Sequence, residues 1–162
     1  MVDPLRLTSG GLVQVWPARA EDTRFAEALY VDTAEQVVPP ERWDETRMRS
    51  RFRTVYRRKE SWVLTDGGGI VGWMQVAEGR RQAALRQLHL VASHRNRGIG
   101  SAIIRGLQGQ AARQGKVVVL RVLRGNPAVA LYRRLGFVTV RETPDWFDMR
   151  WRPPEGGTPR AS

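Results

Sequence analysis

The spacing of apolar and polar positions changes period repeatedly along the 162-residue chain, and those changes divide it into short elements. Residues 13–16 alternate as a short strand that Pro17 ends. From about Glu21 the spacing becomes helical, with Phe25, Ala28 and Leu29 on one face, until Val37-Val38-Pro39-Pro40 breaks it. A second helix is predicted over 41–59, with Met48, Phe52, Val55 and Tyr56 as its apolar stripe. Its other positions carry Arg47, Arg49, Arg51, Arg53, Arg57 and Arg58, which read as a solvated face. Residues 61–65 and 70–77 read as strands joined by the hairpin sequence Asp66-Gly67-Gly68-Gly69. A turn near Gly79 leads into another strand that ends at Leu88-His89-Leu90-Val91. There follow a helix over 98–114 with Ile99, Ile103 and Leu107 in register, a strand over 116–122 and a short helix over 127–135. A strand pair over 137–141 and 146–151 completes the pattern, and no segment repeats another. Helices set among hairpin-connected strands predict an α/β (α+β) fold, with a mixed sheet rather than an all-parallel one.

Length and composition then narrow the picture. The chain suffices for one core, so a single domain is expected over 1–151. The segment 152–162, rich in proline, glycine and small polar residues, reads as a disordered tail. Cysteine is absent, which excludes thiolate metal sites and a cysteine nucleophile. No metal site is expected. The N-terminus lacks a basic region followed by an apolar run, and no stretch is long enough to span a bilayer. The expectation is therefore a cytoplasmic protein without a membrane partner. The formal net charge is +11, and among the cations only Lys59 and Lys116 are not arginine. Such a field suits a polyanionic ligand or an acidic acceptor. An Arg-rich nucleic-acid-binding module is an alternative reading, but no aromatic-interleaved platform accompanies the arginines.

The candidate chemistry begins at Arg95-Asn96-Arg97-Gly98-Ile99-Gly100-Ser101, between an apolar strand and an apolar-striped helix. Glycines there let backbone N–H groups approach an anion, and a helix N-terminus adds unpaired donors and partial positive charge. Arg95 and Arg97 add full charges in planar forks. A dinucleotide fingerprint would need a further glycine at position 103, which is Ile103, and a P-loop would need Gly-Lys-Ser/Thr, which occurs nowhere.

With its preceding strand, this stretch resembles the Arg/Gln-x-x-Gly-x-Gly/Ala signature of the GNAT acetyltransferases. A second stretch, Asn126-Pro127-Ala128-Val129-Ala130-Leu131-Tyr132-Arg133-Arg134-Leu135-Gly136-Phe137, is similar to that superfamily's other hallmark. The resemblance covers about 13–151. It implies a mostly antiparallel sheet with helices on both faces, and N-acetyl transfer from acetyl-CoA, as co-substrate, to a primary amine. It also implies that Leu88, His89 and Leu90 offer backbone groups to the pantetheine arm. Asn96, Arg97, Gly98, Ile99, Gly100 and Ser101 would hold the pyrophosphate, and Asn126 would contact the cofactor arm. Relatives often dimerise, so a homodimer is a further implication.

Helix-end chemistry supports the second stretch independently: Asn126 suits an N-cap, Pro127 the first helical position and Gly136 a C-terminal cap. On spacing alone Tyr132 is a packing residue. The resemblance instead implies a phenol near the CoA sulfur, able to protonate the departing thiolate. The base that relatives carry two to four residues before the Leu88 position is missing, since Ala84 and Arg86 stand there. His89, His94 and Glu78 are weak substitutes, and a domain that binds acyl-CoA without catalysis is the alternative. Strand alternation puts Arg86 on the face of Leu88 and Leu90, where it could clamp an acidic group of the acceptor. By family analogy the segment 30–43, with Asp32, Glu35 and Glu41, borders the acceptor site.

Overall fold

A computed structural model describes residues 13–155. The tail expected at 152–162 falls mostly outside them; Arg152 to Glu155 have no regular structure. The elements run β1 (Gln14–Pro17), α1 (Thr23–Val37), α2 (Glu45–Val55), β2 (Ser61–Thr65), β3 (Ile70–Glu78), β4 (Gln82–Leu90), α3 (Ile99–Arg113), β5 (Val117–Leu123), α4 (Ala128–Arg134), β6 (Val138–Glu142) and β7 (Trp146–Trp151). One seven-stranded sheet has the order β1-β2-β3-β4-β5-β7-β6. Every neighbouring pair is antiparallel except β4 and β5, which α3 connects as a parallel crossover.

Helices cover both faces. On one side Ile99, Ile103, Ile104 and Leu107 of α3, with Val129 and Tyr132 of α4, pack against Met74, Val76, Leu85, Val118 and Leu120. On the other, Ala26, Leu29 and Tyr30 of α1 and Met48 and Phe52 of α2 close over Trp73. This second core is aromatic: Phe52, Tyr56 and Trp73 lie within 6.0 Å of one another, centroid to centroid.

The second helix is shorter than the predicted 41–59, for reasons local to each end. Pro40 to Arg42 form a 3₁₀ turn, Trp43 is extended, and the Asp44 carboxylate caps α2 by accepting the Arg47 N–H at 3.0 Å. At the other end the fully buried Gln75 amide accepts the Arg57 N–H and donates to the Val55 carbonyl, each at 3.0 Å. These bonds capture the backbone groups that would continue the helix, and Tyr56 turns extended.

Two irregularities in β4 shape everything that follows. The β3–β4 register steps from Gln75↔Gln87 to Val76↔Leu85, so Arg86 is an extra residue with no partner. The bulge overturns the expected alternation: Leu88 and Leu90 share the α3-side core with Leu85 and Ala83, so the period of two breaks at Arg86. Arg86 instead lies 3.9 Å from Glu60. Second, β4 and β5 pair only from Gln82↔Val117 to Leu85↔Leu120. Beyond that point β5 stays with β7 through Leu123↔Trp146, while β4 stays with β3 through Gly72↔Leu90. The sheet therefore parts at its centre.

Candidate active site

The parting is lined by the two stretches the sequence singled out. In the loop before α3, Asn96 (φ 56°) and Gly98 (φ 80°) take left-handed conformations, which turn successive N–H groups toward one side. None of the backbone N–H groups of residues 96–101 donates to a described residue. An ideal Cβ on Gly98 would meet nothing within 4 Å, and one on Gly100 only Leu131 Cδ2 at 3.6 Å. The protein itself therefore leaves this concavity open. Six unpaired donors at the N-terminus of a 15-residue helix fit a pyrophosphate.

The arginines flanking the loop behave differently. Arg95 turns back into the fold: its Nε donates to the Leu90 carbonyl at 2.9 Å, Nη1 donates to Gln36 Oε1 at 2.7 Å, and Nη2 lies 3.5 Å from Asp32. It braces the end of β4 against α1 and is not offered to an anion here. Arg97 is exposed, with one long bond of 3.4 Å to the Ser93 carbonyl. His94 sits between Ser93 Oγ and Asp66 Oδ2, each at 2.8 Å, and pins the loop to the β2–β3 hairpin.

Along β4, the Val91 N–H donates to the Val71 carbonyl at 2.9 Å. By alternation the backbone groups of His89 also face β3, and those of Leu88 and Leu90 face the parting. The Leu90 carbonyl is held by Arg95, which leaves Leu88 with the freest pair. The sequence-based place for His89 is thus corrected: its backbone faces β3 and its ring enters the aromatic core. The ring stacks on Trp73 at 5.0 Å and meets Tyr30 edge-on at 5.7 Å. Burial, with the Arg95 charge second, lowers its pKa from 6.5 to about 4, so the imidazole is neutral at neutral pH. Its Nε2 is 2.8 Å from Gln87 Oε1, and Nδ1 is buried without a partner.

Tyr132 is fixed by its helix end. The Phe137 N–H donates to the Tyr132 carbonyl at 3.0 Å and the Gly136 N–H to the Arg133 carbonyl at 3.1 Å, with Gly136 at φ 87°. This is a Schellman motif, and its usual hydrophobic contact is the Tyr132–Phe137 ring pair at 5.7 Å. The Leu-Gly-Phe signature thereby holds the ring carrying the phenol. At the helix start, Asn126 Oδ1 accepts the Ala128 N–H at 2.9 Å, as an N-cap does.

Tyr132 and Asn126 line a cavity of ≈ 390 Å³, shared with Leu88, His89 and Arg86 from β4. The phenol makes no hydrogen bond to a described residue, and its ring is 9% exposed. Burial raises its pKa to about 12, so the proton stays on Oη until negative charge develops nearby. The segment 30–43 borders the cavity, as expected, through Tyr30, Thr33, Val37, Val38 and Arg42; Asp32, Glu35 and Glu41 do not. Arg47 and Arg51 of α2, assigned from sequence to a solvated face, line it as well. Glu78, weighed as a base, is paired with Lys116 Nζ at 2.8 Å. No helix among the described residues is long and apolar enough to cross a membrane, and none of their acidic, histidine or cysteine side chains cluster in threes as a metal site would require.

The site thus combines a sheet that parts, an open loop of unpaired amides before α3 and a phenol on α4. The acetyltransferase (GNAT) domain model matches residues 57–139, and the chain belongs to that family. Mycothiol acetyltransferase of Corynebacterium glutamicum is 37% identical over 93 residues, 54% of this chain and 31% of that protein. N-acetyltransferase 8 of Rattus norvegicus is 34% identical over 90 residues, 51% of this chain and 40% of that protein. The match thus spans well under half of either relative. Among solved structures, the PaiA N-acetyltransferase of Thermoplasma acidophilum in complex with coenzyme A superposes with a TM-score of 0.72 at 14% identity, covering 87% of this chain and 99% of that one. YncA of Salmonella typhimurium, a putative acetyltransferase with its cofactor acetyl-CoA, gives 0.61 at 18% identity, covering 93% and 99%.

Proposed function

We propose that the protein transfers an acetyl group from acetyl-CoA to a primary amine by direct attack, with Tyr132 as the general acid. The observation that carries this reading is Tyr132, fixed by the Schellman motif and lining a cavity together with Leu88 and Asn126. Acetyl-CoA, when bound, supplies an acyl group activated as a thioester. The amides of residues 96–101 hold its pyrophosphate, and Leu88 and Asn126 flank its arm.

One proton leaves the amine when the C–N bond forms, and one is needed by the sulfur when the C–S bond breaks. Tyr132 Oη supplies the second, and the amine proton restores the phenol through water. A phenol at about 12 is a weaker acid than an ordinary thiol near 8.5. Desolvation in the same cavity raises a thiolate's proton affinity too, which offsets much of the difference. No carboxylate lines the cavity to take the amine proton directly, and the His89 ring, which also lines it, is neutral.

The test is Tyr132→Phe, which keeps the ring contact with Phe137 and removes only the proton. Thiol release should fall roughly a hundredfold or more with little change in acetyl-CoA affinity. A variant with undiminished turnover would leave Tyr132 as a packing residue. The reading of a domain that binds acyl-CoA without catalysis would instead give binding in wild type and no thiol release with any amine.

A further inference from the structure

The cavity wall has a one-sided charge. Five arginines line it (Arg42, Arg47, Arg51, Arg86 and Arg121), and no aspartate or glutamate does. Three of the five have carboxylate partners set behind the wall. Arg121 is held in a two-pronged pair by Asp148 at 2.6 and 3.0 Å, Arg42 lies 3.2 Å from Asp145, and Arg86 lies 3.9 Å from Glu60. Arg47 and Arg51 have no carboxylate within salt-bridge distance among the described residues. Arg49, two residues from each, is instead paired with both Glu45 and Glu27. Arg49, against α1, is thus neutralised, and the two arginines that line the cavity are left without a carboxylate partner.

Arg47 and Arg51 are four residues apart, so they occupy one face of α2 about one turn apart. Arg51 has aromatic neighbours on two sides: its charge acts on the Tyr30 phenol, lowering a pKa that burial raises, and its guanidinium carbon lies 5.8 Å from the Trp146 ring centroid. A guanidinium seated against aromatic surface keeps its fork free for a planar anion. Arg47 stands in the first turn of α2, where the helix dipole disfavours a cation. An anion bound between the two would relieve both the like-charge repulsion and that placement. The same cavity has apolar lining from Val37, Val38, Met48 and Val55.

We infer that the acceptor amine carries an anionic oxo group, a carboxylate or phosphonate, that Arg47 and Arg51 bind, with an apolar portion between that group and the amine or beside it. Polyamines and cationic aminoglycosides are excluded from this site by the same charges. The inference rests on the acetyltransferase reading for its reaction, and its binding arm can be tested without turnover.

That arm uses 4-methylpentanoate, an amine-free carboxylate, titrated into the acetyl-CoA-loaded protein by calorimetry. Wild type should bind it, the Arg47→Gln/Arg51→Gln double variant at least tenfold more weakly, and acetyl-CoA affinity should be equal in both. Thermal melting of the variants establishes that they fold, and Arg51→Lys, which keeps the charge, should recover part of the affinity. The second arm measures thiol release with apolar amino acids, their carboxamides, the matching aminoalkylphosphonates, and spermidine. Acids and phosphonates should be acetylated, with Michaelis constants at least tenfold below those of the carboxamides. The Arg47 and Arg51 single variants should raise the constants of the acids tenfold or more and leave those of the carboxamides unchanged. A wild type that binds no carboxylate, a preference for spermidine, or equal constants for acid and carboxamide would overturn the inference. Thiol release with none of the amines, beside intact carboxylate binding, would count against the enzymatic reading and leave the anion site standing.

Discussion

Replacing Gly136 by alanine tests whether the end of α4 positions the phenol proposed as general acid. Gly136 has φ 87°, and its N–H and that of Phe137 close the Schellman motif onto Arg133 and Tyr132. An L-residue in the left-handed region costs about 1–2 kcal/mol. The new Cβ would also approach Trp151 Cδ1 to 3.3 Å, so that ring must yield by a few tenths of an ångström. Trp151 is only partly buried at the end of β7, which makes that shift inexpensive, and the backbone term dominates. For a domain of this size a loss of 1–2 kcal/mol lowers Tm by about 2–8 °C. Urea unfolding should show a lower midpoint with an unchanged slope. Turnover should fall more than acetyl-CoA affinity, because the strain falls on the residues that aim Tyr132 and none of the amides of residues 96–101 takes part in the cap. Asparagine tolerates the left-handed region, so Gly136→Asn should recover most of the lost stability. Equal stability of the alanine and asparagine variants, or no loss in either, would refute the assignment of the cap.

Three further outcomes follow from the same geometry. Gly100→Ala, whose Cβ finds only ordinary contact with Leu131, should leave the unliganded Tm within a degree or two and weaken acetyl-CoA at least tenfold by calorimetry; unaltered affinity would mean that the cofactor does not approach this turn. Gln75→Leu strips partners from the Arg57 N–H and the Val55 carbonyl, and should cost about 2–4 kcal/mol in urea unfolding, against under 1 if water replaces the amide. His89 binds its proton more weakly folded, near 4, than unfolded, near 6.5, so acid favours the unfolded chain and its contribution is lost as pH falls from about 6.5 toward 4. The difference in stability between wild type and His89→Asn should therefore change across that window, and a flat difference would show that the ring is solvated.

Sequence pattern carried most of the architecture because the core-facing stripes are strong and turn chemistry punctuates them. Asp66 to Gly69, the Asn126 cap and Gly136 each lie where local chemistry put them. The errors arose where a tertiary partner captured a local group. The second helix stops at Val55 because a buried amide on β3, twenty residues away, takes its carbonyl. The facing of Arg86 failed because a bulge depends on the partner strand and leaves no mark on the strand's own spacing. The roles of Arg47 and Arg51 were hidden because Arg49, Arg53 and their neighbours look the same in one dimension. Glu27, one of the two acids that distinguish Arg49, acts only once α1 and α2 are side by side. Their i, i+4 spacing beside Met48 was the one legible clue.

The extra residue in β4 also sets what this strand can tolerate in descent. Upstream of Arg86 odd-numbered side chains point to the α3 layer; downstream the even-numbered ones do. Many side chains could stand at position 86, but removing the position would reverse the facing of everything between it and the loop. Leu88 and Leu90 would be thrust among the aromatic rings and His89 into the aliphatic layer, at a distance from the edited site. Homologous chains should therefore vary in the letter written at this position and rarely in its presence, a length constraint of a kind more often sought in loops.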